Sequence, residues 1–493
     1  MTKKIAILTG ISASTIFFAQ DISTIRNTTE IYDNNIITGT ARYSAMAGSM
    51  GALGGDISSL NSNPAGLGVF ITSDANISLL INSTKTTSSL AGRTTENSID
   101  KTTLGQVGGV LSFQTENNSP WKFINIGINL INEKIDNRIQ SPSNHAVILH
   151  RTTDDKMIYS GHRFGSSNST PNNLLYSGHQ FERIGSRSKL NLGLGANYEN
   201  KIYIGAGINI SSLNVEQYDE LYLTLQNSSP ESSAYFKKQN TPFKEDATGF
   251  SISTGVIGKI NHQIRLGASL ESPTWYSIDR DYNYYVNNIT SKSSAIHSYT
   301  GSENRNVRTP GKLTLSGAFI PNKNFAFNVD YRMDLGKPHF SSNGEAETQL
   351  NNFYKSTYKA QNELRFGAEY RVKGFRARGG YTFTTSPFRN YSYTENNFSI
   401  IDANGNQSSH GKISNYIVGK SQVLSGGLGY DFKSFYIDAT YQHVTYTYAN
   451  PFLDGLYVLS ASTNAYYTYS NTSIMSNAKT KRGNIVLTLG WKF

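Results

Sequence analysis

The strongest constraint on the fold is a strict alternation of apolar and polar side chains in segments about ten residues long. At 483–493, Ile485, Leu487 and Leu489 fall on one face, and small or polar residues fall on the other. Successive side chains of a β-strand point to opposite faces, so this segment predicts a strand with one apolar face and one wet face. The last strand of a soluble sandwich shows the same alternation, so the number and spacing of such segments must separate the two folds.

Segments of this kind recur about fourteen times, each near the nine to eleven residues of a tilted membrane strand. The connections between them alternate in length. Short turns such as 199–200 and 373–374 take turns along the chain with long polar segments such as 132–187. An antiparallel meander connected in this way has one rim of tight turns and one rim of long loops, as outer-membrane barrels have. The predicted strands are 75–83, 104–115, 121–131, 188–198, 201–216, 248–258, 262–274, 310–320, 323–334, 361–372, 374–384, 421–431, 434–445 and 483–493.

This pattern predicts an all-β fold, a transmembrane antiparallel β-barrel of about 14 strands that spans residues 73–493. Composition agrees, because charged residues are only 16% of the chain while Tyr, Phe and Gly number 31, 24 and 43. The lack of cysteine excludes disulfides, thiolate metal sites and a cysteine nucleophile. The net charge of +10 does not indicate nucleic-acid binding, because Lys and Arg are dispersed along the chain. A basic exterior suits anionic lipid headgroups instead.

The N-terminus has the features of an export signal. Lys3 and Lys4 precede an apolar stretch at 5–18, which gives the charged start and short apolar middle of a signal peptide. The stretch is shorter than the roughly twenty residues that a spanning helix needs. We therefore expect residues 1–20 to be a signal peptide and the mature chain to begin near Asp21. The expected destination is the outer membrane of a Gram-negative bacterium.

Residues 38–71, between this signal and the first strand, have a different character. They are rich in Gly, Ala and Ser and lack the two-residue period. Small residues allow close backbone packing and tight turns, so such a segment can fold inside a confined lumen. A phosphate-binding loop is excluded because no Gly-Lys-Ser/Thr follows at the required spacing. We predict that residues 21–72 form an N-terminal hatch in the lumen, which argues against an open porin.

Three runs in this stretch and three in the barrel resemble one family of proteins. They are 41–48, 51–56, 63–67, 313–334, 375–388 and 424–441. The first three runs resemble the N-terminal hatch of FadL-type outer-membrane transporters, and Asn63, Pro64 and Ala65 match the hatch motif of that family. The alternative for this triplet is a turn without a transport role.

The resemblance implies passive uptake of hydrophobic small molecules, above all long-chain fatty acids. In that family extracellular loops capture the ligand, which passes into the barrel and leaves sideways into the membrane through a gap beside a kinked strand. The sequence does not locate this gap. The resemblance also implies a monomer without a cofactor, surrounded by outer-membrane lipids and inserted by the barrel-insertion machinery, with Phe493 as part of the signal. Some relatives are labelled haemin receptors and others are shuttle components of a protein secretion system, so the cargo stays open.

Capture of an apolar ligand needs apolar surface on loops that are otherwise polar. The candidates for this surface are Leu174, Leu175, Phe452 and Leu453, which lie in predicted long connections. The same side chains can instead pack the loops against one another.

Histidines in the long connection 132–187 raise the possibility of haem binding, since neutral imidazole ligates iron. Their spacing matches no compact metal motif, which favours solvated residues and no metal site. His150 and His179 are the candidate haem ligands if one exists.

Catalysis is not expected. No Gly-x-Ser-x-Gly elbow is present in the sequence. Asp330, Arg332 and Asp438 fall on predicted lumen faces, where ion pairs or hydrogen-bond networks explain them better than a reaction does.

Overall fold

The structure of the chain is a computed structural model. It describes residues 24–33, 37–116, 118–152, 157–159, 162–164, 172–226, 234–290, 293–341, 344–393, 398–453, 456–460 and 465–493. The predicted signal peptide, residues 1–20, lies outside this described part. None of the helices found in these ranges is long and apolar enough to cross a membrane.

Fourteen antiparallel strands form a closed barrel, which confirms the predicted fold class. The last strand, Ala465–Lys492, pairs with the first, Asp74–Leu90, from Asp74–Lys492 to Ser89–Asn477, so the sheet closes on itself. Closure satisfies the backbone hydrogen-bonding groups internally, as hydrocarbon surroundings require. In chain order the strands are β1 (Asp74–Leu90), β2 (Arg93–Gln114), β3 (Trp121–Ser141), β4 (Asn172–Tyr198), β5 (Ile202–Gln226), β6 (Ala234–Lys259), β7 (Ile264–Glu271), β8 (Gly311–Phe319), β9 (Phe325–Leu335), β10 (Asn362–Val372), β11 (Phe375–Thr384), β12 (Ser421–Asp431), β13 (Phe435–Leu453) and β14 (Ala465–Lys492).

The outer face of the barrel carries an apolar belt, and the inner face is polar. On β3, Ile126 and Ile128 are 48% and 53% exposed, while Asn125 and Asn129, which alternate with them, are buried on the lumen side. This arrangement inverts that of a soluble protein and is the one expected when hydrocarbon surrounds the barrel. The predicted alternation therefore identified both faces correctly.

Several predicted long loops are not loops. β1 and β2 continue through the predicted loop 84–103 and are joined by a turn at Ala91 and Gly92, whose φ angles are 49° and 77°. The predicted loop 217–247 is likewise mostly strand. The prediction was wrong because the end of the apolar pattern marks the end of lipid contact and not the end of strand pairing, and Thr-rich strands pair well in water.

β7 is shorter than the predicted strand 262–274. Its pairing stops at Ser272 and Pro273, and proline has no N–H to donate to a strand ladder. The hairpin Trp275–Thr290 and Ser293–Arg308 continues above it. The other connections on that rim contain the helix Glu345–Thr357 and the short strands Ile148–Thr152, Met157–Tyr159, His162–Phe164, His339–Phe340, Tyr391–Tyr393, Phe398–Ile401, Gln407–Ser408, Gly411–Ile413 and Leu456–Ser460.

Two stretches of the N-terminal region run through the lumen. The upper segment, residues 24–33, lies nearer the rim of long hairpins, and the lower segment, residues 37–72, fills the barrel below it. The hatch at 21–72 stays a prediction, since a hatch is defined by movement. The helices of the two segments are Thr28–Tyr32 (π), Ala41–Ala45 (α), Ile57–Asn61 (3-10) and Pro64–Val69 (3-10).

Candidate functional site

Glycines on the lumen face of the wall make room for the lower segment. A Cβ on Gly205 would lie 2.3 Å from the carbonyl carbon of Pro64, and a Cβ on Gly255 would lie 2.0 Å from Asn63 Oδ1. Neither position admits a side chain unless the segment moves, so the wall is shaped to fit it. Glycines on other strands are equally crowded by this segment, namely Gly127, Gly193, Gly195, Gly267, Gly367, Gly380 and Gly427.

The triplet Asn63, Pro64 and Ala65 joins the lower segment to the wall. The Asn63 side chain accepts a hydrogen bond from the Ala65 N–H at 3.0 Å, which caps the helix Pro64–Val69. Its Nδ2 donates to the carbonyl oxygen of Gly51 at 2.8 Å and to that of Val256 on β6 at 3.2 Å. One side chain therefore sets a local turn and holds two other stretches of chain against it, a positional role that the motif alone does not reveal.

Carboxylate and amide groups of β9 complete the attachment of the lower segment. Asp330 accepts hydrogen bonds from the backbone N–H groups of Met50 and Gly51 at 3.0 and 3.2 Å. Asn328 Oδ1 accepts one from the Ala52 N–H at 3.3 Å. Asp330 thus belongs to a hydrogen-bond network, as its lumen position predicts, and its partners are backbone amides of the lower segment.

Asp438 and Arg332, the other charged residues predicted to face the lumen, form ion pairs with the wall. Asp438 lies 2.7 Å from Arg378, and Arg332 lies 3.4 Å from Glu271. Neither site brings together a nucleophile, a base and an orienting acid, which is the arrangement that acyl transfer needs.

The upper segment is held mainly by charged and aromatic side chains. Arg183 on β4 donates to Asn27 Oδ1 at 2.7 Å and pairs with Glu30. Arg187 donates to the carbonyl oxygen of Ile31 at 2.8 Å. The ring of Tyr32 packs edge-on against that of Tyr276, and its hydroxyl donates to Glu245 at 2.9 Å. The apolar residues of this segment share one cluster with the helix Glu345–Thr357, whose members include Ile25, Ile31, Leu350 and Tyr354.

A cavity of about 200 Å³ lies between the upper segment and the wall. Ligand pockets are commonly about 300–1,000 Å³, so the described arrangement is too tight for a long apolar ligand. Its lining is amphipathic, with aliphatic side chains such as Ile99, Ile135 and Val444 beside Glu133, Arg187 and Arg482. A larger cavity at this place would require the upper segment to move.

The wall beside this cavity is interrupted between β2 and β3. Their pairing begins at Gln114–Phe123 and ends at Gln106–Ile131, although both strands continue upward. Beyond that point β2 pairs with β1 and β3 pairs with β4. Gly105 of β2 has no partner in the β1–β2 register, so β2 has a bulge there. This bulge lies next to Gln106, where β2 separates from β3.

Side chains alone bridge the described part of this gap. Lys101 Nζ lies 3.5 Å from Asp136 Oδ2, and Asn132 Nδ2 donates to the Leu104 carbonyl oxygen at 3.4 Å. Thr95 also donates to the Gln140 carbonyl oxygen across the gap. Side-chain bridges are weaker than a ladder of backbone hydrogen bonds, so this part of the wall is held less firmly than the paired strands on either side of it.

The candidate capture residues fall in the upper, packed part of the barrel. Leu175 and Phe452 are only 5% and 6% exposed, and the Phe452 ring lies near that of Tyr176, with centroids 5.6 Å apart. The backbones of Leu174 and Leu453 pair with those of Leu225 and Ile474, and their side chains lie outside the described part of the structure. Ligand contact by these four residues stays a prediction, and for Leu175 and Phe452 it requires the loops to part.

His179 is engaged in ring stacking and in a hydrogen bond. Its ring stacks on Phe452 with centroids 4.0 Å apart, and its Nε2 lies 2.5 Å from Asp219 Oδ1. The backbone of His150 pairs with that of Leu174, and the His150 side chain is not described. Within the described residues no group of three or more His, Asp or Glu is placed to hold a metal ion. Haem ligation by either histidine stays a prediction.

The sequence comparisons find no matching protein-family model and no matching curated protein. The fold comparison does find similar solved structures. A Pseudomonas aeruginosa FadL homologue is 13% identical and aligns over 93% of this chain and 99% of its own, with a TM-score of 0.53. The P. putida toluene transporter TodX is 14% identical over the same shares, with a TM-score of 0.51. At such identities the likeness concerns the fold, and the chain has the barrel fold of the FadL-type outer-membrane transporters.

Proposed function

We propose that the protein is an outer-membrane transporter for passive uptake of hydrophobic small molecules that resemble long-chain fatty acids. The observation that carries this proposal is the interruption between β2 and β3 beside an amphipathic cavity in a filled lumen. A general pore needs an open lumen, whereas a ligand that dissolves in hydrocarbon needs only a gap in the wall. The names of the two structural neighbours, a FadL homologue and a toluene transporter, support the same class of cargo.

The proposed route begins at the rim of long hairpins. The ligand enters between the loops, displaces the upper segment and occupies the enlarged cavity, with its apolar part near Ile99 and Ile135. It then leaves at the lower end of the gap between β2 and β3, next to Leu104 and Leu130, which mark the upper end of the apolar belt. The lower segment blocks a straight path to the other rim, so lateral exit is the shorter route.

The proposal also includes the expectations drawn from the sequence. We expect a monomer without catalytic activity or a cofactor, exported by residues 1–20, inserted by the barrel-insertion machinery and surrounded by lipids of a Gram-negative outer membrane. Residues 21–72 would act as its hatch. Leu174, Leu175, Phe452 and Leu453 would line the capture site once the loops part.

Crosslinking the gap tests this function directly. The chain has no cysteine, so the double variant Lys101→Cys with Asp136→Cys can be joined by a short bifunctional maleimide. We expect the joined barrel to lose at least about tenfold in uptake of a fluorescent long-chain fatty acid by proteoliposomes. The matched control joins Thr87→Cys to Glu96→Cys, on the paired strands β1 and β2, and should transport normally.

Two results would count against the proposal. If wild-type proteoliposomes take up no fatty acid, the proposed cargo is wrong, and haemin uptake with a ligated Soret band would favour a haemin receptor instead. If both crosslinked variants transport at the wild-type rate, the cargo does not leave between β2 and β3. Rapid swelling of the liposomes in small sugars would indicate a porin.

A further inference from the structure

The upper segment ends in a cluster of two carboxylates that share one tyrosine hydroxyl. The Tyr358 hydroxyl oxygen lies 3.0 Å from Asp33 Oδ2 and 2.7 Å from Asp334 Oδ2. Asp33 belongs to the upper segment, Asp334 to β9 of the wall, and Tyr358 follows the helix Glu345–Thr357 of the outer connection. The cluster therefore joins the segment, the wall and the outer connection at one point.

Hydrogen-bond stoichiometry leaves a place for one additional proton at this cluster. A tyrosine hydroxyl has one hydrogen, so it can donate to only one of the two carboxylates. Asp334 Oδ2 also accepts a hydrogen bond from the Gln361 N–H at 3.1 Å, which holds this carboxyl in place. The second contact is favourable only if Asp33 is protonated and donates its own hydrogen to the tyrosine oxygen. Without that proton, carboxylate oxygen faces hydroxyl oxygen across 3.0 Å.

The charged surroundings of Asp33 come from several elements. Lys312 of β8 lies 3.1 Å from Asp33 Oδ1 and also donates to the Asp33 carbonyl oxygen at 2.8 Å, so it favours the ionised carboxyl. Asp334 acts in the opposite direction, because its negative charge disfavours an ionised Asp33. Tyr276 lies within range of the charge on Asp33. The positive charge of Lys312 is shared, because it also acts on Glu271, which carries Lys189 and Arg332 as further partners.

We propose that Asp33, Tyr358 and Asp334 form a proton-dependent latch that keeps the upper segment in the lumen and releases it when the proton on Asp33 is lost. The proposal concerns closure of the barrel and does not depend on which cargo passes. It is distinct from the gap between β2 and β3, which lies elsewhere in the wall.

The direction of the pH effect follows from the burial of Asp33. Burial raises the pKa of Asp33 to about 7, against the attraction of Lys312 and with a further rise from Asp334. Burial and the two carboxylates also raise the pKa of Tyr358 well above 10.0, so its hydroxyl keeps its hydrogen. A released Asp33 would titrate near its ordinary pKa of about 3.9. The closed state then holds one more proton between these values, so its extra stability is complete below about pH 4 and lost as the pH rises through about 7.

Reaction of a buried thiol measures the opening. Thr28 is 1% exposed in the upper segment, and Thr28→Cys provides the only thiol in the chain. Its rate of reaction with a maleimide is divided by the rate of the same variant unfolded in detergent at the same pH, which removes the intrinsic titration of the thiol. We expect the normalised rate to rise by up to about tenfold per pH unit between pH 5 and 7 and to level off above, since one proton is released.

Variants of the cluster decide between the latch and a general loosening. Asp334→Asn removes a negative charge that helps to raise the pKa of Asp33 and frees the Tyr358 hydroxyl to donate to an ionised Asp33, so the normalised rate should level off at a lower pH. Tyr358→Phe removes a hydrogen bond that favours the ionised Asp33, so the rise of the normalised rate should extend to a higher pH. Ser59→Cys in the lower segment, 0% exposed, is the matched control and should react slowly at every pH. Barrel folding is checked by heat-modifiable migration in gels.

Either of two outcomes would overturn the latch. One is a normalised wild-type rate at Thr28→Cys that is the same at pH 5 and pH 7.5. The other is an Asp334→Asn profile that levels off at the same pH as that of wild type in a correctly folded barrel. Both results are independent of fatty acid uptake, so the latch can fail while the proposed transport stands, and the reverse also holds.

Discussion

The upper and lower segments fill the same lumen but are attached in different ways. The lower segment packs its backbone against wall glycines such as Gly205 and Gly255, and wall side chains add hydrogen bonds and an ion pair, as between Asp330 and the Met50 N–H and between Glu369 and Arg42. The upper segment is attached through long charged side chains, as between Arg183 and Glu30 and between Glu245 and Tyr32. Close packing has one good arrangement, whereas ion pairs can exchange partners with water or ligand. The difference indicates a fixed lower plug below an upper part that can be released.

Substitution of a crowded glycine should have the largest effect. A Cβ at Gly255 would overlap Asn63, so Gly255→Val must displace the lower segment or the strand, and overpacking of this kind costs typically about 1–3 kcal/mol or more. We expect Ser59→Cys to become at least about tenfold more reactive and sugar-driven swelling of proteoliposomes to appear. Gly258→Val, on the same strand, is the control because a Cβ there would meet nothing within 4 Å. Equal behaviour of the two variants would contradict the close-packed seat.

Loss of a buried charge should loosen the upper segment alone. Glu245 and Arg280, 2.9 Å apart, are each 3% exposed, and Glu245 also binds Tyr32. Breaking a buried ion pair costs about 3–5 kcal/mol. The cost for Glu245→Gln is smaller, because Arg280 keeps Glu303 as a partner. We expect Thr28→Cys to react at least about tenfold faster.

The control for this substitution is Asp246→Asn, which removes an exposed carboxylate beside Glu245. It should change neither the reaction rate of Thr28→Cys nor that of Ser59→Cys. The lower segment provides the second check, because Ser59→Cys should keep its wild-type rate. If Glu245→Gln exposes both segments equally, they move as one unit and the comparison between them fails.

A single hydrogen-bonding side chain should have a moderate effect. Asn63→Ala removes the cap of Pro64–Val69 and the bonds to Gly51 and Val256, and loss of a cap costs about 0.5–2 kcal/mol. We expect a fall of about 1–2 kcal/mol in the free energy of unfolding, measured by urea titration in detergent. Asn61→Ala, in the same segment, is the control because the Asn61 side chain makes no hydrogen bond to the described residues. A larger fall in the free energy of unfolding from Asn61→Ala than from Asn63→Ala would contradict the role assigned to Asn63.

The bridge across the gap should matter least for stability. Lys101→Ala breaks the ion pair with Asp136. The Lys101 side chain is 46% exposed, and ion pairs of this kind contribute at most about 1 kcal/mol to the free energy of unfolding. We expect little change in the unfolding transition but a measurable change in the rate of fatty acid uptake. A large loss of stability without a change in uptake would make the pair a structural bridge and not part of the exit.

Strand positions could be predicted because lipid contact imposes the same rule on every strand. Ile126 and Ile128 meet hydrocarbon and Asn125 does not, and this is visible in the order of residues alone. Strand ends could not be predicted in the same way, since above the belt both faces of β1 and β2 are polar and the pattern fades while pairing continues. The hairpin turn at Ala91 and Gly92 was missed. An Ala-Gly pair between two polar stretches does not stand out from the many short turns that contain a glycine.

The site was less accessible to sequence reasoning than the fold. Gly193 and Gly195 fall on the lumen face of a predicted strand, but only the folded chain shows that Leu67 lies against them. The apolar pairs at Leu174–Leu175 and Phe452–Leu453 suggest capture surface, yet burial of Leu175 and Phe452 depends on how distant connections pack together. Runs of sequence report the composition of a loop and not its partners.

The order of residues by itself determined that this chain closes into a barrel with an apolar exterior, because each strand meets hydrocarbon independently of the others and must carry its own alternating pattern. Only the tertiary structure decided where the wall parts and how the lumen is filled. The gap between β2 and β3 arises from the choice of partner beyond Gln106, and the cluster of Asp33, Tyr358 and Asp334 joins residues up to 325 positions apart in the chain. Pairing and proton sharing are properties of two or more distant groups, and no local pattern encodes them.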